Sequence, residues 1–469
     1  MKRWWPLLTG MVLLDVFIIR RAILVPITHD EASTWLNFRH FNMWSCATEY
    51  YCWMTANNHW LNTILLQGSA NLFGEAPWAL RLPNIIAGML YILGAALFVQ
   101  RYISSTTLRV AGFLLLTAHV YLLDFFSLAR GYGLLSCAVL WSVILLLRYF
   151  ETFSWSYLAG IVTIMILGVL SNFTGLLPMA ALGATWMSWV LLQKKYTLLY
   201  RHGWMWLLSA LILYPLLEYP IRMLADSGEF LFGSRNLLEM IKDLAGSLMY
   251  GATYFGMGTA SWMGWLLVGG LCCIVIWVWI KRHTTSEALN VVILFMIFNL
   301  AVIVALQVLT GALAPIGRKS IYLIPVFFLV FALGLNFIRH HLTQRISGII
   351  IPVLLVFHFS FAAPWPYIRE WYYDAYYPQL FKVVMSDGDS VRLGSSWIFN
   401  PALQYYRSAQ SLPLAGLKYE KNIVVDSTMQ YYYLESTDTI KMRDHGFVRI
   451  PYDGPFYLYR NTALTKALQ

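Results

Sequence analysis

Two adjacent carboxylic acids, Asp30 and Glu31, are the residues best placed to do chemistry, in the stretch Thr28-His29-Asp30-Glu31-Ala32. They follow the first hydrophobic segment of the chain. Ionised side chains beside a bilayer are costly and are usually functional. A carboxylate in this position could deprotonate or orient an attacking hydroxyl group. The competing interpretation is a solvated acidic pair at the end of a membrane span.

A second group of polar residues, Asn57, Asn58 and His59, precedes an amphipathic stretch at 63–72. His59 could contact a phosphate or an acceptor, or could bind a divalent metal together with the acidic pair Asp30-Glu31. The alternative is a histidine that is merely satisfied by hydrogen bonds at the membrane surface.

Charged residues also stand near the ends of later hydrophobic segments. Arg81 lines a substrate cavity, pairs with Glu75, or extends its charged end to the lipid headgroups. Asp124 and Arg130 either neutralise each other or place one acid and one cation on a cavity wall.

Two cations and a phenol, Arg318, Lys319 and Tyr322, stand together late in the chain. The guanidinium fork of arginine suits the oxygens of a phosphate. Ordinary anchoring at the membrane surface is the alternative for these residues.

These residue types suit the transfer of a sugar from a lipid phosphate. That reaction needs a base, cations for the leaving phosphate, and a cavity open to both lipid and water. The predicted cavity residues are Asn57, Asn58, Arg81 and Asp124.

The composition indicates a polytopic membrane protein. Of 469 residues, 59% are hydrophobic and only 12% are charged, whereas soluble proteins carry roughly 25% charged residues. The net charge is +10, and residues 1–363 hold 22 Lys/Arg against 13 Asp/Glu. This basic excess in the apolar part favours lipid headgroups or phosphate ligands and argues against nucleic acid as a partner.

About eleven membrane spans are predicted, since a span needs roughly 20 apolar residues. The first, from Trp4 to about Ile27, is expected to be a retained span because no small-residue cleavage site follows it. The others are expected at about 83–100, 109–127, 131–147, 156–172, 174–192, 204–220, 260–280, 288–310, 320–338 and 346–363.

The distribution of basic residues predicts the orientation, because Lys and Arg concentrate in cytoplasmic loops. Clusters at 194–201, 281–282 and 339–345 fall on the same side as the basic N-terminus. We therefore expect a multi-pass protein of a bacterial inner (plasma) membrane, with its active site and C-terminal domain on the periplasmic face. Basic pairs at 20–21 and 318–319 lie on that outer side, where an anionic lipid phosphate would be a local reason for them.

Residues 1–363 are predicted to form the membrane core, with outer loops at 28–78, containing interfacial helices, and at 221–258, containing another helix. From residue 364 the composition becomes mixed and charged, so 364–469 is predicted to be a small soluble α/β domain. Its expected elements are strands at 422–426 and 456–460 and a helical turn at 401–407.

Five cysteines say little about the redox environment. Cys46 and Cys52 share the first outer loop and could form a disulfide if that loop faces an oxidising compartment. Sequence cannot test the geometry of such a bond, so the question stays open.

Taken together, these segments resemble the C-type (GT-C) membrane glycosyltransferases, in particular the family 39-like branch related to protein O-mannosyltransferases and the lipid A aminoarabinose transferase. The resemblance covers roughly 1–335. It rests on His29-Asp30-Glu31-Ala32, Asn57-Asn58-His59-Trp60-Leu61-Asn62, Leu72-Phe73-Gly74-Glu75-Ala76-Pro77-Trp78-Ala79-Leu80-Arg81-Leu82-Pro83, Ala129-Arg130-Gly131-Tyr132 and Gly317-Arg318-Lys319 with Tyr322 and Pro325.

The resemblance implies an inverting transferase that uses a polyprenyl-phosphate sugar and has a GT-C-like core. Asp30 would be the catalytic carboxylate, with Glu31 beside it. The donor phosphate would be bound by Arg318, Lys319, Tyr322, Arg130 and His59. Relatives often have a proline where this chain has Trp60, which departs from the pattern at His59. No cofactor is required, and a divalent metal held by Asp30, Glu31 and His59 is permitted.

The expected partners are a polyprenyl-phosphate-linked sugar donor, membrane lipids, and an acceptor that is a lipid, a polysaccharide or a protein. Two other classes stay open. A transporter or flippase of lipid-linked saccharides would depend on charges near mid-membrane, such as Asp15 and Glu218. A polymerase or ligase of preassembled glycans would depend on outer-loop arginines more than on an acidic pair.

Overall fold

The computed structural model describes residues 4–53, 57–281, 286–363, 367–387, 390–420, 423–442 and 445–462. The helices are α1 (Trp5–Leu24), α2 (His29–Phe38), α3 (Trp60–Phe73), α4 (Pro77–Tyr102), α5 (Thr106–Thr117), α6 (Val120–Phe126), α7 (Gly131–Thr152), α8 (Trp155–Ser171), α9 (Leu176–Leu192), α10 (Thr197–His202), α11 (Trp204–Asp226), α12 (Leu237–Leu248), α13 (Thr259–Ile280), α14 (Glu287–Thr310), α15 (Leu323–Gly334), α16 (His341–Ala362), α17 (Tyr377–Val384) and α18 (Asn400–Ala409). The strands are β1 (Tyr254–Met257), β2 (Val391–Ser396), β3 (Leu414–Glu420), β4 (Tyr431–Leu434), β5 (Phe447–Ile450) and β6 (Tyr457–Asn461).

Seven helices in the described part of the chain are long and apolar enough to cross a bilayer, judged by length and composition. They are Pro77–Tyr102, Gly131–Thr152, Phe173–Leu192, Thr197–Asp226, Gly256–Ile280, Glu287–Thr310 and His341–Ala362. The consecutive helices α5 and α6 add an eighth span if they are counted together, although they are bent by 62°.

The predicted number of about eleven spans is therefore not confirmed. Three predicted segments account for the difference. Helix α1 carries Asp15, Arg20 and Arg21, which lower its apolar character. Helix α8 and the segment Leu323–Phe337 are apolar but have no more than 17 residues each.

Internal contacts divide the chain into two compact units. The helical unit comprises residues 1–22, 42–66 and 81–364, and the sheet unit comprises 23–41, 67–80 and 365–469. The sheet unit thus includes two N-terminal pieces that the sequence had placed with the membrane core. The physical reason is packing, because α2 lies against α18, where the rings of Trp35 and Tyr405 meet edge to face at 5.2 Å.

The helical unit has an apolar interior built around helices such as α7, most of whose residues are buried. A helix that is apolar all round belongs inside a bundle. Helix α7 packs on α8, and α15 packs on α5 and α14. The amphipathic helix α12, with buried Met240, Leu244 and Leu248, confirms the helix predicted within 221–258.

The sheet unit holds a five-stranded sheet in the order β3-β2-β4-β6-β5. Strand β2 is parallel to β3 and β4, while β6 is antiparallel to β4 and β5. Helix α18 lies between β2 and β3 in the chain, as a parallel pair requires a crossover connection. This arrangement confirms the predicted α/β character of the C-terminal part.

The predicted local elements of the C-terminal part are mostly correct. Helix α18 includes the turn expected at 401–407, and β6 matches the strand expected at 456–460 within one residue. The strand expected at 422–426 is wrong for 423–426, and Asn422 lies outside the described residues. There Asp426 starts a turn instead, since its carboxylate accepts a hydrogen bond from the backbone N–H of Thr428 at 2.9 Å.

Candidate functional site

Glu31 belongs to the cap of α2 in the sheet unit. Its Oε2 atom accepts hydrogen bonds from the backbone N–H and the hydroxyl of Thr28, both at 3.0 Å. Together with the return bond from the Glu31 N–H to Thr28 Oγ1, this forms a capping box, which satisfies the free amides of a helix start. Because Glu31 is fully buried and occupied in this way, we keep only Asp30 as the candidate base.

Asp30 lies in the first turn of α2 and is half-buried. Its main-chain carbonyl accepts a hydrogen bond from the hydroxyl of Thr34 at 2.9 Å. Negative charge is stabilised near the N-terminal end of a helix. Residue 30 therefore lies where the end of a helix stabilises negative charge.

Asp374 completes the acidic cluster of the sheet unit, and sequence reasoning missed it. Its Oδ2 accepts a hydrogen bond from the backbone N–H of His29 at 2.7 Å. Its Oδ1 lies 2.8 Å from the hydroxyl of Tyr377, which in turn lies 3.4 Å from the carbonyl of Phe399. The aromatic run from Trp371 to Tyr377 was the only local signal, and it is equally typical of surface anchoring.

The environment of Asp374 favours its protonated form. Burial raises the pKa of this carboxyl well above its ordinary value, and the nearby Asp30 and Glu31 raise it further. The hydrogen bonds from His29 and Tyr377 act in the opposite direction. The Tyr377 hydroxyl donates to Oδ1 of Asp374 at 2.8 Å, so burial and the two neighbouring carboxylates together outweigh this bond and the one from His29.

His59 is the centre of a second cluster, in the helical unit. Burial lowers the pKa of its imidazole well below the ordinary value, and the charges of Arg130 and Arg318 lower it further. The ring is therefore neutral at physiological pH. It lies against the ring of Tyr132, edge to face, at 4.8 Å. Among the described residues, its Nε2 atom has no hydrogen-bond partner.

Gly131 allows the backbone of the motif Ala129-Arg130-Gly131-Tyr132 to pack closely against Ser171 and His59. A Cβ atom on Gly131 would lie 1.7 Å from the Ser171 carbonyl oxygen and 3.2 Å from the Cβ of His59. Only glycine permits this close approach of backbones. The motif is held on both sides, since Arg130 donates to the carbonyl of Asn57 at 2.9 Å and Asn62 donates to the carbonyl of Ala129 at 2.9 Å.

The late basic loop contributes unequally to this cluster. Arg318 is half-buried and its charge acts on His59. Lys319 instead donates to the carbonyls of Glu229 and Phe232 at 3.3 and 3.5 Å, so it holds the neighbouring loop. Tyr322 is fully buried, and its hydroxyl has no hydrogen-bond partner among the described residues.

Two of the predicted cavity residues, Asn58 and Arg81, form hydrogen bonds with backbone carbonyls. Asn58 is buried, donates to the Cys52 carbonyl at 3.4 Å and accepts from the Thr63 hydroxyl at 3.0 Å. Arg81 is buried and donates to the Ala22 carbonyl at 3.0 Å.

Asp124 has a partner that the sequence did not suggest, Arg21, with a Nε–Oδ1 distance of 2.6 Å. Tyr250 donates to the same carboxylate at 2.5 Å and accepts from Arg21 at 3.1 Å. Arg21 thus has a local protein partner on the side where an anionic lipid had been expected. Glu75, the residue considered as a partner for Arg81, pairs with Arg39 instead.

An apolar cavity of about 1000 Å³ lies between α9 and α11 in the helical unit. Small side chains of α9, at Ala180, Gly183 and Ala184, face it. The lining also includes Glu218 and Arg222, which form an ion pair at 3.0 Å on the exposed face of α11. None of the predicted cavity residues lines this space.

No three His, Cys, Asp or Glu side chains form a group that could hold a metal ion within the described ranges. The set Asp30, Glu31 and His59 is therefore not such a group. Cys46 and Cys52, whose pairing the sequence left open, form a disulfide.

Comparison with known proteins identifies the fold. No family model matches the chain, and a search of the curated proteins finds no match. The crystal structure of ArnT from Cupriavidus metallidurans in the apo state is similar, with a TM-score of 0.52 and 12% identity over 97% of this chain and 99% of that one. ArnT from the same organism bound to undecaprenyl phosphate gives 0.52 and 10% identity over 98% of each chain.

This likeness concerns the fold. ArnT is a GT-C glycosyltransferase, so the chain has the architecture of the class that its sequence resembles. The likeness extends over nearly the whole length of both chains, which includes the C-terminal part to which the sequence resemblance did not reach.

Proposed function

We propose that this protein is an integral membrane glycosyltransferase that moves one sugar from a polyprenyl-phosphate donor to an acceptor on the extracytoplasmic face, with inversion. The observation that carries the proposal is a cluster in which the charges of the buried Arg130 and the half-buried Arg318 act on a buried, neutral His59, whose Nε2 has no hydrogen-bond partner among the described residues. Two guanidinium groups that act on one buried position suit an anionic ligand such as a phosphate. The fold likeness to an ArnT bound to undecaprenyl phosphate supports the same ligand class.

The two arginines would stabilise the phosphate as it leaves. Their guanidinium groups remain protonated and offer forked donors to phosphate oxygens. His59 has a different task. The hydrogen bond between its ring and the backbone of Ser171 raises its pKa, which is the effect of a bond that the ring donates. A neutral imidazole has one donor and one acceptor nitrogen, so Nε2 is then the acceptor. That nitrogen can accept a hydrogen bond from a hydroxyl group or from the proton of a phosphate monoanion.

Asp30 would take the proton of the acceptor hydroxyl. As that oxygen forms a bond to the anomeric carbon, the bond from that carbon to the donor phosphate oxygen breaks, and its electron pair leaves with the polyprenyl phosphate. One direct displacement inverts the anomeric centre. The mechanism requires no cofactor, and a contribution by a divalent metal stays an untested prediction.

The cavity between α9 and α11 offers a place for the isoprenoid chain of the donor. Its lining is mainly aliphatic and aromatic, and a hydrocarbon chain fills such a space at little cost. Helix α9 begins at Leu176, shortly after Ser171, whose backbone bonds His59. The same stretch of chain thus contacts His59, at the proposed phosphate site, and lines the cavity.

The transporter alternative receives no specific support. It depends on functional charges within the membrane, and one of its two candidates, Glu218, forms an exposed ion pair with Arg222 one helical turn away. Such pairs are ordinary features of helix surfaces.

The test is transfer by the purified protein from a panel of polyprenyl-phosphate sugars. We expect Asp30→Asn to lower the transfer rate by about 10²- to 10⁴-fold, the usual contribution of a general base. Asp15→Asn, an acid within α1, is the matched control and should retain transfer. Undiminished transfer by Asp30→Asn would overturn the assigned role.

Mass spectrometry of envelope glycans with and without the protein would then identify the sugar and whether the acceptor is lipid, polysaccharide or protein.

A further inference from the structure

The Cys46–Cys52 disulfide lies beside the turn that carries His59. Both cysteines are buried, and six positions separate them. The bond is therefore part of the interior of the helical unit. Two hydrogen bonds hold the carbonyls of the two cysteines. The indole N–H of Trp53 donates to the Cys46 carbonyl at 2.6 Å, and the amide of Asn58 donates to the Cys52 carbonyl at 3.4 Å.

Aromatic packing fixes the same region from a second direction. The ring of Trp53 lies 6.2 Å from that of Trp60 and 5.1 Å from that of Phe173. The indole N–H of Trp60, the first residue of α3, donates to the Met43 carbonyl at 2.8 Å. His59 thus stands between two residues, Asn58 and Trp60, that are both bonded to the backbone of the segment Met43–Trp53.

We propose that the Cys46–Cys52 disulfide and Asn58 are positioning residues for His59, so that the donor site is complete only when this disulfide is formed. The inference rests on the proposed function, and it assigns the disulfide a role in donor binding. None of these residues touches the reacting atoms. The disulfide holds the two cysteine carbonyls in place. The Cys46 carbonyl accepts from Trp53, and the Cys52 carbonyl accepts from Asn58, the residue next to His59.

The physical reason is the loss of conformational freedom in a closed loop. A disulfide removes alternative conformations of the chain that it closes. Reduction by a dithiol transfers two electrons and two protons to the sulfur atoms, and the dithiol becomes a disulfide. The freed segment then samples more conformations, and the turn 57–60 loses its fixed neighbours. The donor should bind less tightly, whereas the base, Asp30, belongs to the other unit.

This role would couple activity to the redox compartment. Disulfides persist in oxidising compartments and are rare in the cytosol. A donor site that needs Cys46–Cys52 would be functional only on an oxidising side of the membrane. That side agrees with the extracytoplasmic location proposed for the reaction.

The experiment begins from a background variant in which Cys137, Cys272 and Cys273 are replaced by alanine, so that a reductant acts at one site. In that background we compare the oxidised protein, the protein reduced with dithiothreitol, Cys46→Ala/Cys52→Ala, and Asn58→Ala. In the reduced protein and in both variants, the donor KM should be about tenfold higher than in the oxidised protein, which is the effect of losing one or two positioning hydrogen bonds. The value of kcat should change much less. Reoxidation should restore the original KM.

A readout independent of activity separates this inference from the proposed function. Hydrogen exchange at the backbone amides of residues 57–63 should become faster on reduction, while exchange within α7 stays unchanged. Unchanged exchange at 57–63, or an unchanged donor KM in the reduced protein, would overturn the positioning role. Absence of transfer by the oxidised protein, with exchange at 57–63 still sensitive to reduction, would instead count against the proposed function.

Discussion

The helical unit gathers positive charge around a buried histidine, whereas the sheet unit gathers carboxyl groups at the start of α2. Arg130 and Arg318 both lower the pKa of His59. Asp30 and Glu31 both raise the pKa of Asp374. In each region, like charges stand close together, which is unfavourable unless the protein or a ligand compensates for it.

The two regions compensate in different ways. In the sheet unit, the cap at Thr28 occupies Glu31, and a proton on Asp374 removes one charge. In the helical unit, the Nε2 of His59 and the hydroxyl of Tyr322 have no hydrogen-bond partner among the described residues. The acidic region is thus largely satisfied by the protein itself, while the basic region has polar atoms that a ligand can satisfy.

The pair of Arg21 and Asp124 tests this contrast, because it is a buried charge group of the helical unit that is already neutralised. We expect Asp124→Asn to lower the free energy of unfolding by about 3–5 kcal/mol, because it leaves the buried Arg21 without a counter-charge. Glu218→Gln, which breaks the exposed pair with Arg222, should cost less than about 0.5 kcal/mol. Both values can be measured by denaturant unfolding in detergent. Equal effects would show that burial does not distinguish these pairs.

Arg318→Gln should have the opposite profile, with a loss of donor binding and little loss of stability. A hydrogen bond to a charged group contributes about 1.5–3 kcal/mol, so donor affinity should fall by roughly 10- to 100-fold. The measurement is titration of the purified protein with polyprenyl phosphate. Arg235→Gln, an exposed position in the same unit, makes the same change of net charge and is the matched control. If both variants lose affinity equally, the effect comes from net charge and the contact assigned to Arg318 is wrong.

The polar segments of the helical unit could be located from the sequence because short motifs determine them. The sequences around His59, Arg130 and Arg318 stand out as polar residues at the ends of apolar runs. What each residue does there depends on packing. Asn58 and Arg81 resemble cavity residues in the sequence, yet they bond to backbone carbonyls.

The remaining features could not be predicted because they depend on contacts between distant segments. Asp374 bonds to the backbone of His29 across 345 positions, and Asp124 pairs with a residue on α1. The assignment of α2 to the sheet unit follows from its packing on α18, which no local pattern encodes. The predicted number of spans is not confirmed for local reasons, since α1 carries charged residues and both α8 and the segment Leu323–Phe337 are short.

The proton on Asp374 can be tested through the pH dependence of stability. Because the pKa of this carboxyl is raised on folding, the folded protein retains a proton that the unfolded chain releases as the pH rises above 3.8. The stabilising contribution of Asp374 is therefore complete at low pH and is lost as the pH rises towards the folded-state pKa. Asp374→Asn is neutral throughout and keeps the acceptor for His29, so its stability relative to the wild type should increase with pH across this window.

Asp426 provides a control of opposite sign in the same unit. Its hydrogen bonds with Thr428 lower its pKa, so its contribution is present above the unfolded-state pKa and is lost as the pH falls. The effect of Asp426→Asn should therefore be most destabilising near neutral pH. Thermal unfolding of both variants between about pH 2 and pH 8 measures the two slopes, because the Asp426 window lies below the unfolded-state pKa and the Asp374 window lies above it. If Asp374→Asn follows the slope of Asp426→Asn, then Asp374 is ionised in the folded protein, and the three carboxylates of the acidic region would need a compensating cation.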